Sequence, residues 1–365
     1  MKLVYVITGL GMGGAETQVC GLCDKMYEMG HEVSLVYLTG DKVVHPTNSE
    51  IEVYDLKITK GNFLRGFIKL NQIIKKLKPD VIHSHMIHAN LISRFCSLFV
   101  GKVVLINTAH SANEGGWLRM LMYRITDFLS DVTTNVSSAA VESFIEKKAV
   151  KRSRIIAVHN GVDTDKFQYR SELNASVRKQ LGVSESCRLF ISVGRYVEAK
   201  DYSNLLEAIS LSEIDCEHKF IIVGLDVERL KAKARELGID KRVAFLGMRK
   251  DVPALLSASD VFVLSSQWEG LPMVVGESMS CECAVVTTDA GGTSEWLPNK
   301  DYVVEIKNPR MLSNKIVALS RLSDMQIRAL GKENRNYIVG KYSIQSVSST
   351  WVNMYQAKLN INGNA

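Results

Sequence analysis

The sequence predicts an α/β protein built from two parallel-sheet units in one chain. Three observations carry this. Apolar, β-branched runs alternate with helix-period stretches from the first residues onward, the pattern of β-α-β units. The alternation restarts after a polar interval near residues 165–187. The length, 365 residues, suits two domains of ordinary size.

In the first half KLVYVIT, HEVSLVYL, DVIHSH, KVVLINTAH and DVTTNVS read as buried strands. Between them lie helix candidates at Ala15–Met29, Leu64–Leu77, Ala89–Phe99 and Trp117–Leu129. Near-continuous apolar strands joined by helices imply a parallel sheet covered on both faces. RIIAVHNGVD, Arg154–Asp163, adds one more strand ending in a turn, and Tyr169–Glu185 is polar and partly helical. The pattern then returns with RLFISVGRY, KFIIVGLD, RVAFLG, DVFVLSS and CAVVTTD. A helix-like stretch, Ile344–Lys358, closes the chain. The expected division is a first domain at 1–170, a linker at 171–187, a second domain at 188–340, and a terminal helix at 341–365 packing back toward the first.

Composition narrows the class. The hydrophobic share is 46% and the charged share 23%, which excludes disorder over most of the chain. No run of 18 apolar residues exists, so no helix is expected to span a bilayer. The seven cysteines are an odd number, and the apolar run Leu3–Ile7 is too short for a secretory signal. The expectation is a cytoplasmic protein with reduced thiols. Cys20-x-x-Cys23 falls mid-helix without a second such pair, so it reads as core, as do Cys281 and Cys283. The net charge is +6, and residues 1–180 hold all of it, with 23 Lys and Arg against 17 Asp and Glu. A basic half suits a phosphorylated substrate or an anionic lipid surface. Nucleic acid lacks its expected motif of interleaved aromatic and basic residues.

GLGMGGAE, Gly9–Glu16, carries Gly9, Gly11 and Gly14 at G-x-G-x-x-G spacing between an apolar run and a helical one. Such a turn exposes backbone N–H groups and a positive helix end to an anion. A dinucleotide site also needs a carboxylate closing the second strand. Asp41 follows a Thr-Gly there, 27 residues past Gly14, and matches loosely. The identity of the anion rests on the second half.

Three segments there carry chemistry. In SVGRYVEAK a strand ends at Gly194, with Arg195 next and Lys200 five residues on. A fork and a point charge at a strand's carboxyl end suit a diphosphate. In SSQWEGLPMVVGESMS, Glu269 and Glu277 lie eight apart around Gly270-Leu271-Pro272. A helix starting after Pro272 puts Glu277 in its first turns and Glu269 in the preceding loop. A carboxylate there can accept from a vicinal diol such as ribose, and loop amides can hold a phosphate or sugar oxygen. TTDAGGTSEWL is another glycine-rich turn after a strand, with Glu295 opening the next element.

Together these segments resemble the C-terminal half of the retaining glycosyltransferases of family GT4, of the kind that assemble bacterial polysaccharide and O-antigen. HNGVD with Phe167, and MGGAE near the start, are similar to that family's first half. The resemblance implies a GT-B fold, two Rossmann-like domains facing each other across a cleft. It implies Arg195 and Lys200 on the donor's diphosphate, Glu277 on the ribose, and Glu269 with Gly194, Gly270, Leu271 and Pro272 around the donor sugar and phosphates. Gly13 and Gly14 would bring amides to the same phosphates on closure, and His110 would lie near donor sugar and acceptor. Met248, Arg249 and the residues around Gly224 would line the base pocket.

The implied reaction moves a hexose or N-acetylhexosamine from a nucleotide sugar, UDP favoured over GDP, with retention at the anomeric carbon. Lacking a confident enzymic nucleophile, the front-face route is favoured over double displacement through Glu269. No cofactor or metal is expected. His83, His85 and His88 are dense enough to suggest one, but no third ligand type accompanies them. The acceptor is expected to be a lipid-linked oligosaccharide, with the first domain peripheral on the inner face of the cytoplasmic membrane. NFLRGFIKLNQIIKKLK and WLRMLMYRITDFL, with Arg119 and Arg124, are the stretches that suit a bilayer surface, although each also reads as a sheet-covering or core helix. The rival readings are a nucleotide-sugar 2-epimerase of the same architecture, an NAD-dependent oxidoreductase, and a two-lobed binding module, which would need an export signal.

Overall fold

The computed structural model describes residues 1–59 and 61–363. They divide into two compact units, Met1–Gly161 with the segment from Ile344 onward, and Val162–Ser343.

The first unit runs β1 (Lys2–Ile7), α1 (Gly14–Glu28), β2 (Glu32–Tyr37), β3 (Glu52–Asp55), α2 (Phe63–Leu77), β4 (Val81–His85) and α3 (Ile87–Ser97). It continues through β5 (Val104–Ala109), α4 (Trp117–Thr126), β6 (Val132–Asn135), α5 (Ser138–Glu146) and β7 (Ile155–Ala157). The seven strands pair in the order β3-β2-β1-β4-β5-β6-β7, all parallel. Helices cover both faces. Leu3, Tyr5 and Ile7 pack on Val19, Cys20 and Cys23 of α1, while Val4 and Val6 pack on α2 and α3 through Leu70, Ile74 and Ala89.

Parallel strands buried on both sides favour apolar residues, and the amino-terminal halves obey. The carboxyl halves of β4, β5 and β6 do not: His83, Ser84, His85, Asn107, Thr108, Thr133, Thr134 and Asn135 are all buried. They are kept by hydrogen bonds, as buried polar groups must be. Asn107 Nδ2 donates to Ser84 Oγ at 2.6 Å, Ser84 Oγ donates to Asn90 at 2.7 Å, and Thr108 and Thr134 hydroxyls meet at 2.7 Å. The buried Arg94 donates to Asn107, Thr126 and Thr133.

The second unit runs α6 (Ser171–Leu181), β8 (Arg188–Val193), α7 (Tyr202–Leu211), β9 (His218–Val223), α8 (Lys231–Glu236), β10 (Val243–Phe245) and α9 (Val252–Ala258). Then come β11 (Val261–Leu264), α10 (Met273–Ser280), β12 (Ala284–Thr288), β13 (Val303–Val304), α11 (Pro309–Ser320) and α12 (Asp324–Tyr342). Its six strands are parallel in the order β10-β9-β8-β11-β12-β13. The last helix, α13 (Ile344–Gly363), groups with the first unit. It lays Val347, Trp351 and Tyr355 into the same core as α1.

The boundaries differ from the sequence reading, and the second unit ends at Ser343 rather than 340. The first unit ends at Gly161 rather than 170. The stretch 171–187, expected as a linker, holds α6, an integral part of the second unit. The reason is Arg178, a buried cation on α6 that donates to the carbonyls of Ala258 and Cys187 and to Asp260 at 2.8 Å. The short edge strands β3 and β13 were not expected.

Candidate active site

In an open parallel sheet, ligands bind where neighbouring strands send their connections to opposite sides. In the second unit that point lies between β8 and β11. The loops that follow these two strands carry the sequence-predicted residues.

After β8, the chain passes Gly194 and Arg195 into a 3₁₀ turn, Glu198–Lys200. After β11 it passes Ser265 and Ser266 to Glu269. Lys200 Nζ donates to Glu269 Oε1 at 2.7 Å, and both side chains are mostly buried. Ser266 Oγ donates to the same oxygen at 2.7 Å. One carboxylate oxygen is thus held from two sides, which fixes the rotamer. Ser265 Oγ donates to the Lys200 carbonyl at 2.9 Å, and Gln267 N donates to the Ala199 carbonyl at 2.8 Å, tying the two loops together. Arg195 is exposed, and among the described residues its guanidinium has no hydrogen-bond or ion-pair partner.

Close backbone approach explains two glycines here. A Cβ on Gly291, at φ +63°, would lie 2.1 Å from the Glu269 carbonyl oxygen. One on Gly224, at φ +152°, would lie 1.9 Å from the Gly194 carbonyl. The glycine-rich turn after β12 is therefore a seat for the Glu269 loop, and Gly292 N donates to Gly270 O at 3.1 Å. Leu271 is buried, and Pro272 precedes α10 with no side chain capping the helix. The first turn of α10 thus has amides that no side chain caps, a natural place for an oxyanion. Glu277 sits on the second turn of α10. Burial pushes its carboxyl up to about 7, with Lys166 opposing, Asp163 adding to the rise, and Lys200 opposing. Met248 is exposed after Gly247. Arg249 is clamped bidentately on Asp251 at 2.8 and 2.6 Å, so its charge is already matched.

In the first unit the corresponding switch point lies between β1 and β4. The loop after β1 reaches α1, which begins at Gly14 with Gly13 uncapped by any side chain. The Glu16 carboxylate folds back over Gly13, close enough that a Cβ there would meet Oε2 at 2.4 Å. An incoming anion must displace it. After β4, Met86 takes φ 72° and ψ 155°, a region that costs a side-chain-bearing residue about 1–3 kcal/mol. It follows His85, whose Nδ1 hydrogen-bonds His110 Nε2 at 3.1 Å. Glu114 accepts from the backbone of both His110 and Ile87 at 3.0 Å, drawing the ends of β5 and β4 together. Burial pushes the His110 imidazole down to about 4 and raises the Glu114 carboxyl. His83 bonds hydroxyls through both nitrogens, Tyr355 and Thr108, each at 2.7 Å. That satisfies the imidazole without a metal ion. Among the described residues no three His, Cys, Asp or Glu side chains form a metal-ligating group.

Sequence reasoning missed Ser266, Gly291, Glu114 and the His85 contact. The S-S before W-E-G and the G-G after T-T-D were visible, but the Ser266 bond to Glu269 depends on how their loop folds back, and the neighbour of Gly291 lies in another loop.

Two parallel α/β units are the architecture of the GT-B fold, and cationic and acidic groups gather at the strand switch point of the second. Residues 12–166 match the family model Glycosyltransferase Family 4, and residues 174–336 match Glycosyl transferases group 1. The chain belongs to family GT4. It is 26% identical over 296 residues to an Escherichia coli protein named UDP-Gal:alpha-D-GlcNAc-diphosphoundecaprenol alpha-1,3-galactosyltransferase, covering 77% of this chain and 76% of that one. It is 21% identical over 378 residues to the N-acetyl-alpha-D-glucosaminyl L-malate synthase of Bacillus anthracis, covering 97% of each. The fold matches Anabaena HepE, solved with UDP and glucose, with a TM-score of 0.82 and 19% identity over 98% of this chain and all of that one.

Proposed function

We propose that the protein transfers a hexose or N-acetylhexosamine from a UDP-sugar to a growing glycan carried on a lipid diphosphate, with retention at the anomeric carbon and without a metal ion. The observation that carries this is the Lys200–Glu269 pair beside the unpartnered Arg195 at the β8/β11 switch point. Arg195, Lys200 and the amides opening α10 offer positive charge where a diphosphate leaving group develops its own. The anomeric carbon's bond to the β-phosphate oxygen breaks while its bond to the acceptor hydroxyl forms. The departing phosphate oxygen takes the acceptor's proton on the same face. Glu269, its Oε1 already occupied by Lys200 and Ser266, keeps Oε2 for donor-sugar hydroxyls. Glu277 meets the ribose. In the first unit the α1 amides at Gly13 and Gly14 are open to an anion, and His110 is held as a neutral imidazole.

The UDP named for the E. coli relative, and its diphosphoundecaprenol substrate, support the donor and the acceptor. The site of action is then the cytoplasmic face of the membrane. The test is a screen of UDP-galactose, UDP-glucose and UDP-N-acetylglucosamine, each with a sugar-diphospholipid, with L-malate and with no acceptor. Product on the lipid with the α configuration supports the proposal. Transfer to malate moves the acceptor to the class of the Bacillus relative. A new free nucleotide sugar without acceptor makes the protein a 2-epimerase.

A further inference from the structure

Two imidazoles meet at the carboxyl end of the first sheet. His85 closes β4, and His110 follows the last residue of β5. His85 Nδ1 lies 3.1 Å from His110 Nε2, with the ring centroids 5.3 Å apart. His110 is fixed from two sides. Its backbone N–H donates to Glu114 Oε1 at 3.0 Å, and Glu114 Oε2 accepts from Ile87, the first residue of α3. Its ring is fixed by His85, which is 2% exposed and lies against the rings of His83 and Tyr5. His83 is held in turn by the hydroxyls of Thr108 and Tyr355. The support under His110 thus draws on β1, β4, β5 and α13.

The nitrogens of the pair differ in what they meet. His85 Nε2 is buried and, among the described residues, has no hydrogen-bond partner. His110 Nε2 is taken up by His85. Among the described residues His110 Nδ1 bonds nothing, in a side chain that is only half-buried. A neutral imidazole carries one N–H. On His85, a proton at Nε2 would be a buried donor without an acceptor, the rarer kind of orphan. At Nδ1 the same proton is donated to His110. His110 Nε2 is then the acceptor, and its own N–H sits on the free nitrogen, Nδ1. Burial disfavours the imidazolium form of both rings, pushing His110 down to about 4 and His85 well below its ordinary range. A carboxylate in the place of His85 would instead raise the basicity of His110. Glu114, the carboxylate next to the pair, is engaged by backbone amides.

We infer that His85 is a positioning residue for transfer: it holds His110 in the Nδ1–H tautomer, so that His110 donates a hydrogen bond to a hydroxyl oxygen of the sugar substrate. His110 then does not take the acceptor's proton, which leaves with the departing phosphate oxygen. The inference rests on the proposed transferase reaction, and names a residue that the reaction needs without its touching substrate.

The experiment has two arms. Nitrogen NMR of the full chain, isotope-labelled at histidine, reports which nitrogen of His110 carries hydrogen, with His110→Gln assigning its signals. A free imidazole prefers Nε2–H, so Nδ1–H at His110 is the expected and diagnostic result. The second arm compares His85→Ala with His85→Asn, whose amide can donate from the position of Nδ1. The substrates are the UDP-sugar and sugar-diphospholipid that the wild type uses. His85→Ala should lower kcat about tenfold or more. KM for the donor should change less, since Arg195 and Lys200 lie in the second unit. His85→Asn should recover most of the loss, and in His85→Ala the His110 signals should return toward Nε2–H. If His85→Ala does not fold, the wild-type signals and His85→Asn decide alone. Nε2–H at His110 in the wild type, wild-type kcat in His85→Ala, or an equal loss in folded Ala and Asn variants overturns the inference. A wild type that turns over no UDP-sugar refutes the transferase reading and with it the role in transfer; Nε2–H at His110 in an active wild type refutes the inference alone.

Discussion

Arg195 and Lys200 are both cations at the β8/β11 switch point, yet their environments predict opposite stability effects. Arg195 is exposed and, among the described residues, unpartnered, so Arg195→Ala should change unfolding free energy by no more than about 0.5 kcal/mol. Its charge matters when a diphosphate arrives. A unit charge about 4 Å from a phosphate oxygen is worth about 4 kcal/mol at an effective dielectric of about 20. If that attraction grows fully in the transition state, turnover falls about a thousandfold. Lys200 is different, because its ammonium already neutralises Glu269 and the two side chains are 17% and 15% exposed. Lys200→Ala leaves that carboxylate with the Ser266 hydroxyl alone. Removing one partner of a fully buried pair costs about 3–5 kcal/mol; the remaining exposure lowers this to about 2 kcal/mol. For a domain of this size that is a melting shift of about 4–8 °C. Scanning calorimetry and donor turnover on the two variants separate the cases. If both variants melt alike, or if Arg195→Ala keeps more than about a tenth of the activity, the assignment of a free diphosphate cation beside one that also holds Glu269 is wrong.

The remaining expectations follow from individual contacts. Gly291→Ala and Gly238→Ala share a positive φ, +63° and +69°, but only the first meets an atom within 4 Å, the Glu269 carbonyl. Gly238→Ala should lose about 1 kcal/mol from backbone strain, and Gly291→Ala should lose more, because its Cβ meets the Glu269 carbonyl; only Gly291→Ala should also lose turnover, by tenfold or more on the order of a misplaced catalytic loop. Ser266→Ala removes one buried hydrogen bond, worth about 1 kcal/mol, and should raise KM for the donor several-fold with less effect on kcat. Glu277, raised from 4.5 to about 7 by burial, binds its proton more tightly folded than unfolded. Its share of stability is therefore fully present below about pH 4.5 and is lost as pH rises through about 7, by at most about 3 kcal/mol at 1.36 kcal/mol per unit. Glu277→Gln should flatten that slope in denaturant titrations, whatever it does to ribose binding. His83, His85 and His110 run the other way, being held neutral by burial. Below about pH 6.5 the unfolded chain takes up protons that the fold refuses, so stability should fall by up to about 1.4 kcal/mol per pH unit for each.

The alternation of strands and helices was legible because periodicity is local: each strand and helix announces itself over a few residues. The α6 boundary was not. Ser171–Leu181 is polar, with its one decisive residue, Arg178, buried against the Ala258 carbonyl and the Asp260 carboxylate, 80 and 82 positions away. The same limit divides the site. Arg195, Lys200, Glu269 and Glu277 could be chosen because their types and spacing lie within two short segments. Ser266 and Gly291 matter only through what they touch. Arg249 shows the converse. Its position after Gly247 puts it among the expected base-pocket residues, and its guanidinium is held by Asp251, two residues on.

The glycine turn GLGMGGAE needs a different account from the one its spacing invites. None of Gly9, Gly11, Gly13 and Gly14 adopts a positive φ, so the turn does not depend on glycine's left-handed freedom. Gly9 is small because a Cβ would come within 3.1 Å of the Thr39 carbonyl at the end of the neighbouring strand. That is strand packing and has no bearing on a nucleotide. Gly13 is the position with chemistry, since it leaves the α1 amino terminus uncapped. In a dinucleotide site the strand beside the turn would end in a carboxylate for the ribose. Here β2 ends at Tyr37 and Leu38-Thr39-Gly40 follow. The ribose-binding role falls instead to Glu277 of the second unit under the proposed mechanism. The first unit keeps an anion-ready helix end guarded by Glu16. Substituting Glu16→Gln should then tighten UDP binding if the α1 amides meet the donor's phosphates. An unchanged affinity, measured by calorimetry with UDP alone, would assign the loop to some other ligand.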